Sequence, residues 1–473
     1  HYFLNLITIN FMKIFNLNIK ESIFACIAVG MIAIGCEKKL DVQPYQGLSD
    51  QKALLTESDV SGTLVGAYDA VSSAAAYGGV MMVLNDLIGN KTNIRFTGTF
   101  AALNDAYNTI MTANNSFAAA TWSSAYNTIN VANNVLENTS KVTSSTTRKN
   151  SVEGQALFLR GSLYFELVKL FAKPVGDGDF NTNPGVPLVL TPTGNVTDAD
   201  YKARATVKAV YDQVIADLTR AESLLPSSNG IYATKWSAAA QLSRVHLMLK
   251  NYAEAGAAAN RVITGSGKSL AVDIDKNWFT YINNGGTTPG EYLFSMKMTA
   301  QDGTNALNTY FGRTISGISG SAGRSDCKIK AAHFTQYETG DKRKDFFVLS
   351  GGNYYTKKHL DRLGDVPVVR LSEMYLTRAE ANVRSNTSVG ATPLADVNAI
   401  RTRAGLPALT SITLAAVLKE RKVELAFEGQ GLPDAKRLQN SVGLLAWNAP
   451  SLIMPIPQRE MDVNKKLVQN AGY

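Results

Sequence analysis

The chain has 473 residues, with 47 lysines and arginines against 39 aspartates and glutamates, a formal net charge of +8. The positive excess is scattered rather than gathered into Lys/Arg blocks, which argues against a nucleic-acid-binding protein. With 45% hydrophobic residues the chain can bury a large core, and its length suits two or three ordinary domains or one large helical one.

Residues 22–35 (SIFACIAVGMIAIG) carry no charge, and Lys13 and Lys20 precede them. A basic start, a short apolar stretch and small residues at its end are the build of a secretory signal. The stretch falls short of the roughly 20 apolar residues that a membrane-crossing helix needs. It stops at Cys36, and charge begins at Glu37. Ala33-Ile34-Gly35-Cys36 is similar to a bacterial lipobox, in which the peptide is cut before the cysteine and the sulfur is acylated. Met12 reads as the natural start, with residues 1–11 as upstream translation. Cys26 then leaves with the signal and Cys36 carries lipid. Cys327 is left without a partner, so no disulfide is expected.

Beyond Leu40 the pattern is mostly helical. WSSAYNTINVANNVLEN from Trp122 predicts one helix, and SVEGQALFLRGSLYFELVKLF from Ser151, stopped at Pro174, predicts another. From Thr206, the residues Val207, Val210, Val214, Leu218, Ala221 and Leu225 recur at three- and four-residue steps and make one apolar stripe, ended by Pro226. KWSAAAQLSRVHLMLKNYAEAGAAANRVI reads as two helices broken near Asn251, with Ala238, Ala239, Ala255, Ala258 and Ala259 permitting close approach. Such small-residue hairpins are similar to tetratricopeptide repeats, although no strict period survives. LSEMYLTRAEANVRSN from Leu371 precedes a helix from Thr392, with Thr392 as N-cap, Pro393 at the first helical position and Gly405 beyond the end. Gly/Thr/Asn-rich loops fill residues 89–100, 176–193, 283–290 and 312–324, where binding residues usually sit.

Catalytic signals are weak. His1, His246, His333 and His359 lie far apart in sequence, and HExxH, GxSxG and P-loop motifs are absent. Glu420, Glu424 and Glu428 share one helix face, which lacks the two-sided geometry that glycosidic cleavage requires. They read as ion-paired or capping groups, and inter-helix pairing is the reading for Arg370, Glu373, Arg378 and Glu380.

CEKKLDVQP, LFLRGSLYFELVKLFAKPVG and TVKAVYDQVIADLTRAESLLP in the first half are followed by VVRLSEMYLTRAEA, VNAIRTRAGLP, LKERKVELAFEGQG and the tail LIMPIPQREMDVNKKLVQNAGY. Together and in this order they resemble the SusD/RagB family of Bacteroidetes outer-membrane lipoproteins. The resemblance departs at Ala172, where a glycine is usual, and across residues 428–437, positions that read as structural. It implies an all-α fold, a tetratricopeptide-like helical-hairpin frame with long loop-rich insertions. Residues 1–35 would be the signal, 36–230 an N-terminal region and 231–473 a C-terminal region, packed as one unit. The implied protein is a non-catalytic lid without cofactor or metal. Held on the outer membrane through Cys36, it would capture an oligosaccharide and deliver it to a SusC-like TonB-dependent transporter. A peptide-capturing lid and, from a different class, a glycan hydrolase are the alternatives.

In the family the ligand site draws on an early loop and on a loop before the C-terminal helices. Here these offer Asn85, Asp86, Asn90, Asn93, Phe96 and Phe100, then Asn305, Asn308, Tyr310 and Phe311. Aromatic rings suit the apolar faces of sugars, and amides and carboxylates suit their hydroxyls. The two loops contain no tryptophan, which leaves room for a peptide ligand. They are expected to converge on one face.

Overall fold

The computed structural model describes residues 54–194, 196–271, 290–318 and 320–473. The signal stretch, Cys36 and nearly all of the expected loop at 283–290 lie outside the described residues. About half of the described residues are helical. In chain order the first elements are α1 (Glu57–Ser72), α2 (Val80–Gly89), β1 (Ile94–Phe96), α3 (Ala101–Asn108), α4 (Ser116–Glu137) and α5 (Thr146–Phe171). Then come α6 (Val207–Leu224), α7 (Lys235–Met248), α8 (Tyr252–Gly265), β2 (Tyr292–Met296), α9 (Ala306–Phe311), β3 (Cys327–Ile329) and α10 (Ala331–Phe334). The rest are β4 (Phe347–Ser350), β5 (Asn353–Thr356), β6 (Val366–Arg370), α11 (Leu371–Ser385), α12 (Pro393–Arg403), α13 (Leu414–Glu424), α14 (Gly431–Leu438) and α15 (Gln458–Val463).

The long helices form one row. α1 packs on α4, α4 on α5, α5 on α6, α6 on α7, α7 on α8, α8 on α11, and α11 on α12 and α13. This is the expected tetratricopeptide-like frame, and residues Leu54–Tyr473 form one compact unit. Near the middle of the row, α5 is buried on almost every side from Ser151 to Phe171. A helix enclosed in this way shows no single apolar stripe. Its start lies earlier than the expected Ser151, because the polar first turn is set by Ser145, whose side chain accepts from Arg148 N. Close approach of α6 requires Gly161, where an added Cβ would sit 3.0 Å from Asp217 Cβ. There Arg160 donates to both carboxylate oxygens of Asp217 at 2.8 Å, and to Asn133 of α4 at 2.9 Å. One buried guanidinium thus ties three neighbouring helices together.

The break near Asn251 is observed between α7 and α8. The Thr392 side chain accepts from Ala395 N as the N-cap of α12, with Pro393 first in the helix and Gly405 at φ +79° beyond its end.

The insertion between α8 and α11 carries β2 to β6, which the helical periodicity did not reveal. With β1 they form two small antiparallel sheets, β1-β3-β5-β4 and β2-β6. The first pins an early segment to a late one, through Ile94↔Ile329, Arg95↔Lys328 and Phe96↔Cys327. Cys327 is fully buried and free, and burial pushes its thiol well above the usual range. Folded protein should therefore resist alkylation at Cys327. Unfolded, unreduced protein should take up one label there, as read by mass spectrometry of the Cys327 peptide. A disulfide-linked Cys327 peptide, or rapid labelling of the native protein, would contradict this.

Candidate functional site

Pairing of β1 with β3 leaves the chain just after Phe96 beside residues 324–326, with Thr97 N donating to Asp326 O at 2.8 Å. Phe100 then stands at the N-cap of α3, 40% exposed. On the other side, α9 is seated by the turn between α1 and α2, where Ala306 N donates to Gly78 O at 2.8 Å. That turn needs glycine at 79, where φ is +126° and a Cβ would lie 2.8 Å from Leu307 N. Asn305 caps α9 by accepting from Asn308 N at 2.7 Å. Tyr310 is thereby carried to the edge of Phe100.

Three rings meet edge to face: Phe100 and Tyr310 at 6.0 Å, Phe100 and Phe117 at 6.0 Å, and Phe117 and Tyr310 at 6.1 Å between centroids. Phe117 comes from the first turn of α4. The Arg324 guanidinium lies 4.7 Å above the Phe100 ring, donates to Thr99 Oγ1 at 3.0 Å and pairs with Asp326 at 3.0 Å. Burial, with Asp326 close by, pushes the Tyr310 phenol up. The result is an aromatic cluster that reaches the surface mainly through Phe100, with Phe117 half-buried and Tyr310 7% exposed behind it, bordered by a cation and hydroxyls. Such a surface can take an apolar ring face while donating hydrogen bonds to its polar edge.

The expected convergence of the two loops therefore holds for Phe100 and Tyr310, and brings in Phe117 and Arg324, which were not anticipated. Phe117 was hidden because a lone aromatic in a first helical turn looks like core. The eight other candidates lie elsewhere. Asn308 is fully buried and donates to the carbonyls of Ala322, His359 and Leu360. Phe311 is fully buried between His359 and Phe427. Phe96 is 6% exposed and faces Tyr107. Asn85 is 3% exposed within α2. These four present no surface to a ligand, because the sheet and α9 turn them inward. Asn305 and Asn93 are likewise buried. Asn90 and Asp86 border a separate cavity of about 400 Å³, together with Arg421 and Asp434, which pair at 3.1 Å.

Asp86 is a structural staple. Its carboxylate accepts from Gly429 N at 2.8 Å and Gly431 N at 3.1 Å, and so holds α2 to the turn before α14. Burial raises its pKa to about 7 against the pull of those two donors. The folded-state value lies above the ordinary carboxylate value of 3.8, so this group's stabilisation is complete in acid and is lost as pH rises towards 7. Asp86→Asn cannot titrate. Its deficit against wild type should therefore shrink from pH 5 to pH 8 in denaturant titrations, and a deficit that grows with pH would contradict this.

The carboxylates once open to a catalytic role are locked in ion pairs. Glu420 meets Arg343 at 2.6 Å, Glu424 meets Arg370 at 2.6 Å, and Glu428 meets Lys358 at 2.6 Å and Arg370 at 2.7 Å. Glu373 pairs with Arg244, Arg378 with Asp396 at 2.6 Å, and Glu380 with Arg437 at 2.7 Å, all between helices. These cations hold Glu424 and Glu428 below the usual carboxylate range despite their burial.

Residues 38–247 match the family model described as "Starch-binding associating with outer membrane", and residues 346–451 match the SusD family model. SusD-like protein P2 of Formosa agariphila is 24% identical, over 93% of this chain and 97% of its own length. A SusD superfamily protein from Bacteroides thetaiotaomicron has a similar structure, with a TM-score of 0.76 at 23% identity, over 88% of this chain and 100% of that one. A laminarin-binding SusD-like protein has a TM-score of 0.72 at 22% identity, over 88% and 100% of the two chains. The two structures share the fold of the helical row, and the two family models match successive stretches of the chain. The chain belongs to the SusD/RagB family.

Proposed function

We propose that this protein is a surface lipoprotein of the outer membrane that binds an oligosaccharide at the Phe100–Phe117–Tyr310 patch and hands it to a SusC-like TonB-dependent transporter. Phe100, exposed, and Tyr310, buried behind it, are distant in sequence yet meet in one cluster with Arg324, and that convergence carries the proposal. The laminarin-binding relative and the starch-binding description of the family model favour a glycan over a peptide. Stable anchoring takes more than one acyl chain, and a bacterial lipoprotein is expected to carry several on its cysteine. The protein acts by binding, and the carboxylates that could have been catalytic are held in ion pairs.

An open patch exchanges one wet surface for another, so each ring contributes modestly. Phe100→Ala and Tyr310→Ala should each weaken glycan binding by about 1–2 kcal/mol, roughly tenfold in affinity. Affinity electrophoresis in gels cast with laminarin, starch, xylan or mannan measures this, with melting temperature as the control for folding. Unchanged retardation in both variants would reject the patch. A wild-type protein that ignores every glycan and binds a casein digest would move the ligand class to peptides.

A further inference from the structure

A second cavity, of about 510 Å³, lies between α4, the loop that precedes α6 and the C-terminal segment around α15. It falls within the roughly 300–1,000 Å³ typical of small-ligand sites. On α4, Phe117 and Tyr126 are nine residues apart, which at 3.6 residues per turn sets them on about opposite sides of the helix. The cavity and the Phe100 patch thus flank α4 from different faces.

Aromatic residues form part of its wall. Tyr126 is half-buried, its ring packed on Trp122 at 4.9 Å, and its hydroxyl donates to Pro187 O at 2.8 Å, so the ring is held in place. Tyr201 is half-buried on the loop side, its backbone carbonyl accepting from Lys466 Nζ at 2.9 Å while its hydroxyl has no protein partner among the described residues. Glu460 projects from α15. It is partly buried, burial pushes its carboxyl up, and its carboxylate makes no hydrogen bond or ion pair among the described residues. Arg459 beside it is exposed and likewise unpaired. Asp200 spends one oxygen on Thr197, accepting from its N at 2.8 Å and its Oγ1 at 2.7 Å.

Elsewhere in this protein buried carboxylates such as Asp217, Glu380, Glu424 and Glu428 are paired with arginine, and Asp86 is held by two backbone amides. A half-buried carboxylate left open, next to a free phenol and a free guanidinium on an aromatic wall, keeps its hydrogen-bonding capacity for something outside the chain. Two carboxylates against one guanidinium disfavour an anion. Acceptors and donors mixed around aromatic rings suit a neutral polyol ring, with hydroxyls at the edge and an apolar face.

We propose that this cavity is a second carbohydrate site, taking a neutral sugar unit between Tyr126 and Tyr201, with Glu460 and Arg459 binding its hydroxyls. It rests on the glycan reading above but not on the Phe100 patch. A lid with two sites on opposite faces of α4 would hold a long chain at two points, or retain it at one while the other releases.

The test uses the full-length chain and affinity electrophoresis in laminarin, starch, xylan or mannan gels. Three variants are compared with wild type: Phe100→Ala with Tyr310→Ala, Tyr201→Ala with Glu460→Gln, and all four together. Arg459→Ala, at an exposed position, serves as a further single variant whose folding is not in question. Tyr201→Ala with Glu460→Gln is expected to weaken binding at least about fivefold at unchanged melting, and the fourfold variant to abolish it. Binding abolished by Phe100→Ala with Tyr310→Ala alone, or left unchanged by both the Tyr201/Glu460 pair and Arg459→Ala, would overturn the second site and leave the first standing. A wild type retarded by no glycan would overturn both.

Discussion

Replacing Arg370 by methionine is expected to cost about 3–5 kcal/mol of folding stability, the range for removing one partner of a buried ion pair. Arg370 is 2% exposed and sits at the end of β6, where the chain enters α11. Its guanidinium reaches Glu428 at 2.7 and 2.9 Å, the Glu424 carboxylate at 2.6 Å and the Glu424 carbonyl at 2.7 Å. Methionine fills the space but leaves two buried carboxylates short of a cation. Arg343 and Arg403 still hold Glu424, and Lys358 still holds Glu428, so the loss stays finite. Domains of ordinary stability have about 5–15 kcal/mol in all, so the variant should unfold at much lower denaturant or fail to accumulate. Adding Glu428→Gln should recover part of the loss by removing the stranded charge. Guanidinium titrations read both effects, and a loss under about 1 kcal/mol would show that the network rearranges around the missing arginine.

Cys36→Ala should move the protein from the membrane fraction to the soluble fraction almost completely. The AIGC sequence after an uncharged run places the only expected attachment at that sulfur. Among the described residues no helix is long and apolar enough to cross a membrane. Each buried methylene of an acyl chain contributes about 0.8 kcal/mol to anchoring, so losing every chain at once removes the whole hold. Metabolic labelling with palmitate should fail in the variant, and a sodium carbonate wash should release it. A variant that stays with membranes after the wash would sink the lipoprotein assignment.

Much of the frame was legible because helices are local. The stripe from Val207 to Leu225, the break at Asn251 and the cap at Thr392 depend on residues three or four apart, and the observed α6, α7, α8 and α12 follow them closely. The carboxylates on α13 and just after it were legible as ion-paired because so many acidic groups on an otherwise core-facing stretch need cations. Which cations, from β6, α12 and the segment before β4, could not be read, because those partners come from distant segments.

The candidate site was half legible, for the same reason. Polar and aromatic loop residues announce themselves by type, but type does not say which way a side chain turns. Asn308 and Phe100 looked alike as candidates. One spends its amide on three carbonyls from two neighbouring segments, and the other stands at the surface beside Arg324. Local sequence was enough to set the helices and their caps, since each is decided within a few residues. The β1–β3 pairing, the burial of Asn308 and Phe311, the meeting of Phe100 with Tyr310 and the unpaired carboxylate of Glu460 were decided only by the tertiary structure. Each depends on segments that are brought together once the helical row has formed and the insertion has folded back on α2 and α4.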